Sequence, residues 1–164
     1  MSMTVALYEV RTMTEKEAEV VAGWRYEAPY DIYGWMPWEE MKQLGIEFGD
    51  PELRIQQYVS VYRSNLLQGF AQLFPLEGTT RLGIGMKPDQ CGQGMGVDFV
   101  KAVTTEALRR GPGQEIDLEV LTWNQRAIKV YQKAGFEITD LYERMTLDGS
   151  KPFYCMVYSA PSGI

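Results

Sequence analysis

Between Leu82 and Arg110 the sequence LGIGMKPDQCGQGMGVDFVKAVTTEALRR changes character twice. An apolar run from Arg81 to Met86, interrupted by Gly83 and Gly85, reads as a buried strand. The loop after it carries Pro88 and then Gly92, Gly94 and Gly96 at alternate positions. From Gly96 onward Val97, Val100, Ala107 and Leu108 recur at helical spacing. A strand, a glycine loop and a helix in this order can hold an anion. The first N–H groups of a helix lack intrahelical partners, and the aligned peptide dipoles place about half a positive charge there. Glycines let that backbone approach a phosphate closely. Two familiar phosphate loops do not fit the spacing. The dinucleotide fingerprint needs G-x-G-x-x-G, whereas Gly92, Gly94 and Gly96 are followed by Val97 and Asp98. The P-loop needs Gly-Lys-Ser/Thr, a tripeptide absent from the chain.

Proton-transfer groups are restricted by composition. Histidine is absent, so acid–base work falls to carboxylates, tyrosine, cysteine or water. Glu119 interrupts the apolar strand EIDLEVL and points to the face opposite Ile116, Leu118 and Val120. Lined against a cleft, that face would raise a carboxyl's pKa toward useful values; solvated, it would leave Glu119 a surface charge. The segment EAPYDIYGWMPW (27–38) is irregular by virtue of Pro29, Gly34 and Pro37, yet carries Glu27, Tyr30, Asp31, Tyr33, Trp35 and Trp38. Aromatic faces and carboxylates of this kind either cover a core or hold an organic cation.

The 164 residues suit a single domain spanning 1–164, with no linker or repeat. A formal charge of −6 argues against a nucleic-acid surface and agrees with a cationic partner. No apolar run reaches membrane-spanning length, and the start has no signal-peptide pattern, so no membrane partner and a cytoplasmic location are expected. With only Cys91 and Cys155, a disulfide framework is not expected.

The elements that must position these groups follow in order. Residues 5–11 alternate as a first strand. Thr14 to Glu17 form a capping box opening a helix that should end near Tyr26. A second short helix runs from Trp38 to about Leu44, followed by a turn over 47–51. Residues 56–62 and 67–74 read as a hairpin around Arg63-Ser64-Asn65, with a return turn over 75–79. Gly111-Pro112-Gly113 stops the glycine-loop helix. A strand then covers 115–121, and Asn124 opens a helix with an apolar face of Ala127, Ile128, Val130, Tyr131 and Ala134. Gly135 occupies the left-handed cap position. Strands over 136–146 and 152–159 close the chain, and the last could pair across a homodimer. The order is strand, two helices, three strands, helix, strand, helix, two strands: an α/β sandwich with helices packed on the sheet.

Three features in one register carry a resemblance. They are Met86-Lys87-Pro88 followed by Cys91-Gly92-Gln93-Gly94-Met95-Gly96, Leu118-Glu119-Val120 followed by Asn124, and Ala127 with Tyr131 before Gly135-Phe136. Together they resemble the GNAT superfamily of acetyl-CoA-dependent N-acetyltransferases, closely over 82–136. The resemblance implies a mixed, mostly antiparallel sheet with a central splayed strand pair. It implies acetyl-CoA as cosubstrate, no metal, and transfer to a primary amine of a small molecule or peptide by direct attack. Backbone groups of Cys91, Gly92, Gln93, Gly94, Met95, Gly96 and Val97 would hold the pyrophosphate; Ile84, Gly85 and Met86 would pair with the pantetheine arm. Asn124 would touch the cofactor, Tyr131 would protonate the departing thiolate, and Glu119 would act as base through water, with Glu27 and Asp31 as reserves. The segment with Glu27, Tyr30, Asp31 and Tyr33 would line the acceptor site. Cys91 departs from the Arg or Gln that the family motif has at this position. The rival readings are a CoA-binding sensor without turnover and a transferase for a larger acyl group.

Overall fold

A computed structural model describes residues 7–90 and 95–160, and these fall into two compact units. The first comprises residues 7–72 and 84–90, the second 73–83 and 95–160. Seven strands hydrogen-bond in the order β1-β2-β3-β4-β5-β7-β6. They are β1 (Tyr8–Thr12), β2 (Tyr58–Arg63), β3 (Leu66–Leu76), β4 (Thr79–Met86), β5 (Glu115–Leu121), β6 (Phe136–Thr146) and β7 (Gly149–Tyr158). Pairing is mostly antiparallel; β4 and β5 run parallel, with Thr79 opposite Glu115 through Leu82 opposite Leu118.

In the first unit, α1 (Glu15–Ala22) begins with the expected capping box, Glu17 N–H donating to Thr14 Oγ1 and Thr14 N–H to the Glu17 carboxylate. It stops at Gly23, short of Tyr26. The same carboxylate accepts from the Ser60 and Tyr62 hydroxyls on β2, so one side chain both caps the helix and ties it to the strand. Helix α2 (Trp38–Leu44) ends at Gly45 in the left-handed conformation. A helix absent from the sequence reading, α3 (Pro51–Gln57), replaces the start of the anticipated strand at 56. Asp50 caps it by accepting from Glu52 N–H, and Pro51 sits at its first position. Residue Gly49 is required because a Cβ there would lie 2.4 Å from the Met41 carbonyl oxygen. The β2–β3 turn is Ser64-Asn65, both with positive φ, as a two-residue hairpin demands. Phe48, Phe70, Tyr58, Trp24 and Trp38 pack with Met13, Val21 and Met41 into an apolar cluster.

In the second unit, α4 (Gly96–Arg110) buries Phe99, Val100, Val103, Thr104 and Ala107. Leu108, expected on that face, is exposed, since it lies one turn past Thr104 at the edge of a buried stripe centred on Val103 and Ala107. Helix α5 (Gln125–Lys133) buries Ile128, and Gly135 follows with φ +106°. Strand β5 spans the expected residues. Strand β7 lies between β5 and β6, so both of its edges are taken and it is not available to pair across a dimer, contrary to expectation.

Burial would raise the Glu17 pKa, but the hydrogen bonds from Tyr62, Thr14 and Ser60 outweigh it and hold the carboxyl below its ordinary value. A depressed folded value gives stability that is present above the unfolded pKa of about 4.3 and lost as pH falls through the folded one. Glu17→Gln should therefore cost about 1 kcal/mol at neutral pH and flatten the acid limb of the stability curve. Urea melts between pH 3 and 7 measure both; a variant curve parallel to the wild type would contradict the role.

Candidate functional site

Helix α4 starts at Gly96 with Met95 at the N-cap position, and the Met95 side chain makes no capping hydrogen bond. The Phe99 N–H donates to the Met95 carbonyl, closing the first turn. Met95, Gly96 and Val97 are partly buried; Cys91, Gly92, Gln93 and Gly94 lie outside the described residues.

The end of β4 is held in two ways. Lys87 N–H donates to the Gln68 carbonyl at 2.7 Å, and the Tyr26 hydroxyl donates to the Met86 carbonyl at 2.8 Å. Tyr26 was not singled out in the sequence, and its partner is 60 residues away, so no local pattern signals it. At Gly85 the close approach is made by Phe70, whose Cε1 would lie 2.3 Å from an added Cβ. Ile84, Gly85 and Met86 are all partly buried.

Glu119 stands in a charged network on one face of the second unit's strands. Arg81 on β4 binds Asp117 in bidentate fashion, at 3.0 and 2.9 Å, and reaches Glu119 Oε2 at 3.5 Å. Arg144 on β6 pairs with Glu119 Oε1, and the Tyr142 hydroxyl donates to Glu119 Oε2. The Cys155 thiol lies 3.7 Å from Asp117 Oδ2. Glu119 is thus neither a solvated surface charge nor an isolated buried carboxyl: its side chain is 10 % exposed and both oxygens accept hydrogen bonds. The hydrogen bond to Asp117 raises the Arg81 pKa further. Burial, then the bond to Glu119, raises the Tyr142 phenol; burial raises the Cys155 thiol. Sequence reasoning missed Arg81, Asp117, Tyr142 and Arg144. The signal was Asp117 and Glu119 alternating, after Glu115, on a strand whose other residues are apolar, which requires cationic partners from its neighbours.

Asn124 is buried and caps α5, its Oδ1 accepting from Ala127 N–H at 3.2 Å. Tyr131 is partly buried on α5 with its ring edge against Phe136, centroids 6.2 Å apart. The acceptor segment divides. Trp35 and Trp38 pack on Phe48, and Trp35 also on Phe70, which is the core-covering role. Tyr30, Asp31 and Tyr33 form a short 3-10 helix; Glu27, Asp31 and Tyr33 are exposed and Tyr30 is partly buried. Among the described residues no three or more Cys, Asp or Glu side chains are grouped to hold a metal ion, and no helix is long and apolar enough to cross a membrane.

A mixed α/β fold with a mostly antiparallel seven-stranded sheet is the frame in which these residues lie. A family model described as the acetyltransferase (GNAT) family matches residues 11–136. The chain belongs to the GNAT acetyltransferase family. Over 52 residues it is 42% identical to thialysine N-epsilon-acetyltransferase of Bos taurus, covering 32% of this chain and 30% of that protein. The chain therefore spans under a third of the curated relative's length. Among solved structures, a GNAT-family acetyltransferase from Bacillus anthracis superposes with a TM-score of 0.74 at 15% identity, covering 96% of this chain and 97% of its own. A spermidine N-acetyltransferase chimera from Vibrio cholerae and hSSAT gives 0.73 at 13%, covering 93% and 95%. The aminoglycoside acetyltransferase AAC(6')-Ib in complex with coenzyme A gives 0.72 at 21%, with the same coverage. At these identities the structural likeness speaks to the fold.

Gly85→Ala should cost roughly 1–3 kcal/mol, because Phe70 is wedged among Trp24, Trp35 and Phe48 and cannot yield freely. Adding Phe70→Leu should recover part of that loss, measurable as non-additivity in urea melts; strictly additive effects would mean the ring is not what excludes a side chain.

Proposed function

We propose that this chain transfers an acetyl group from acetyl-CoA to a primary amine, in the reducing environment of the cytosol. The reading rests on membership of the GNAT family over 11–136. The N–H groups of residues 91–97 are the proposed holders of the pyrophosphate, and Asn124 and the Ile84–Met86 backbone are further proposed cofactor contacts. Acetyl-CoA supplies the activated acyl group.

The chain's own residues then have to orient the amine and move two protons. An amine is protonated at neutral pH and must lose a proton before attacking the acyl carbon; the C–S bond breaks and the thiolate takes a proton. Tyr131 is the proposed donor to that sulfur. Glu119 is the proposed destination of the amine's proton. Because Glu119 Oε2 already accepts from Tyr142, the phenol of Tyr142 is the group through which a proton would be handed on. Glu27 and Asp31, exposed beside Tyr30 and Tyr33, are the proposed contacts for a cationic acceptor. The fold neighbours named for spermidine and aminoglycosides, and this chain's charge of −6, support an acceptor with more than one positive charge.

A second reading, a CoA-binding module without turnover, draws on one observation: both Glu119 oxygens are already engaged. Thiol release from acetyl-CoA across polyamines, aminoglycosides, amino acids and peptide N-termini separates the two. Turnover is expected with a polycationic amine, and none with any acceptor favours the module. Tyr131→Phe should lower kcat by roughly 10²–10⁴. An unchanged rate removes its role. Glu119→Gln should lower kcat by a similar factor; an unchanged rate would move the base to Glu27 or Asp31.

A further inference from the structure

Arg81 and Arg144 both meet Glu119, but they are held differently. Arg81 is fixed by two bonds to Asp117 across the parallel β4–β5 pairing, and its side chain is 29% exposed. Arg144 stands on β6, separated from β5 by the width of β7, and its side chain is 53% exposed. Among the described residues, Glu119 is the one side chain its guanidinium pairs with. Its cross-strand neighbour on β7 is Lys151, a like charge that opposes its position. An ion pair with one long partner half in solvent is weakly held, because the attraction is screened and a flexible side chain must be ordered. The hydrogen-bonded group of Arg81, Arg144, Asp117 and Glu119 balances two cations against two anions. Withdrawing Arg144 leaves one negative charge uncompensated on a carboxylate that is 10% exposed, a position that calls for a cation from outside.

We propose that Arg144 is the exchangeable cation of the amine site: its guanidinium covers Glu119 Oε1 in the free chain, and the ammonium of the acceptor displaces it. The inference rests on the reading of Glu119 as the group that receives the amine's proton. It makes Arg144 a specificity-determining residue. An acceptor enters by matching what Arg144 supplied, one positive charge with N–H donors for Oε1, so ammonium ions are taken and uncharged molecules of the same shape are not. Tyr142 keeps its bond to Oε2 while Oε1 changes partner, so the route for the proton stays assembled. Arg81 does not exchange, since its departure would strand the buried Asp117. Acetylation turns the ammonium into a neutral amide, which no longer competes for Oε1, so the return of Arg144 favours release of the product.

Calorimetric titration of the full chain with diaminobutane at neutral pH tests it without any cofactor, and butanediol is the uncharged control. Arg144→Gln should tighten diamine binding by up to about fivefold over the wild type, the range of a half-exposed ion pair. Glu119→Gln should weaken it, and adding Arg144→Gln to Glu119→Gln should bring no gain. With an acceptor that is turned over, Arg144→Gln should lower the KM for the amine. No saturable diamine binding, or binding by Arg144→Gln no tighter than by the wild type, overturns the proposal. So does a gain that persists beside Glu119→Gln, or a diol that binds as well as the diamine. Tighter diamine binding by Arg144→Gln with no amine acetylated upholds the exchange and removes the transferase reading; turnover without that gain does the reverse.

Discussion

One guanidinium organises the second unit. Arg81 on β4 grips Asp117 with two hydrogen bonds and extends to Glu119, across the sheet's parallel pairing. Asp117 is buried, and a buried carboxylate without such a partner would cost several kcal/mol. The same requirement pins the register. A one-residue slip of β5 would turn Asp117 and Glu119 onto the face of Ile116, Leu118 and Val120 and expose those apolar chains to charge. Through Glu119 the network reaches Tyr142 and Arg144 on β6, so one set of charges fixes β4, β5 and the outermost strand together.

The first unit is held by aromatic packing instead. Phe48 touches Trp35, Trp38, Tyr58 and Phe70, and the Trp35 and Trp38 contacts anchor the irregular segment that follows α1. Because two of its aromatics are spent on the core, the remaining polar side chains of that segment, Glu27, Asp31 and Tyr33, are left facing solvent. The arrangement gives a stretch without regular hydrogen bonding a defined course. Tyr26 adds a fixed point by donating to the last residue of β4.

Local signals were legible where they are self-contained. The Thr14–Glu17 box, α2, the β5 run, the Asn124 cap and the 136–146 strand all stand where their residues suggested, because each is specified by neighbours within a few positions. Helix α3 was missed because PELRIQQ passes into the strand YVSVYR with no Gly or Pro to mark the boundary. Leu108 was misplaced because the buried stripe of α4 is centred on Phe99, Val103 and Ala107, which leaves Leu108 beyond its edge. The partners of Glu119 could not be found by spacing, since Tyr142, Arg144 and Arg81 come from other strands and only sheet register brings them to it.

Two anion problems are posed in one chain: fixed internal carboxylates neutralised by arginines, and the diphosphate proposed at the start of α4. The second is the centre of the functional reading, and calorimetric titration of the intact chain with acetyl-CoA tests it most directly. Saturable binding of one molecule per chain, with a dissociation constant on the order of micromolar, is the predicted result. No heat at millimolar acetyl-CoA would contradict it.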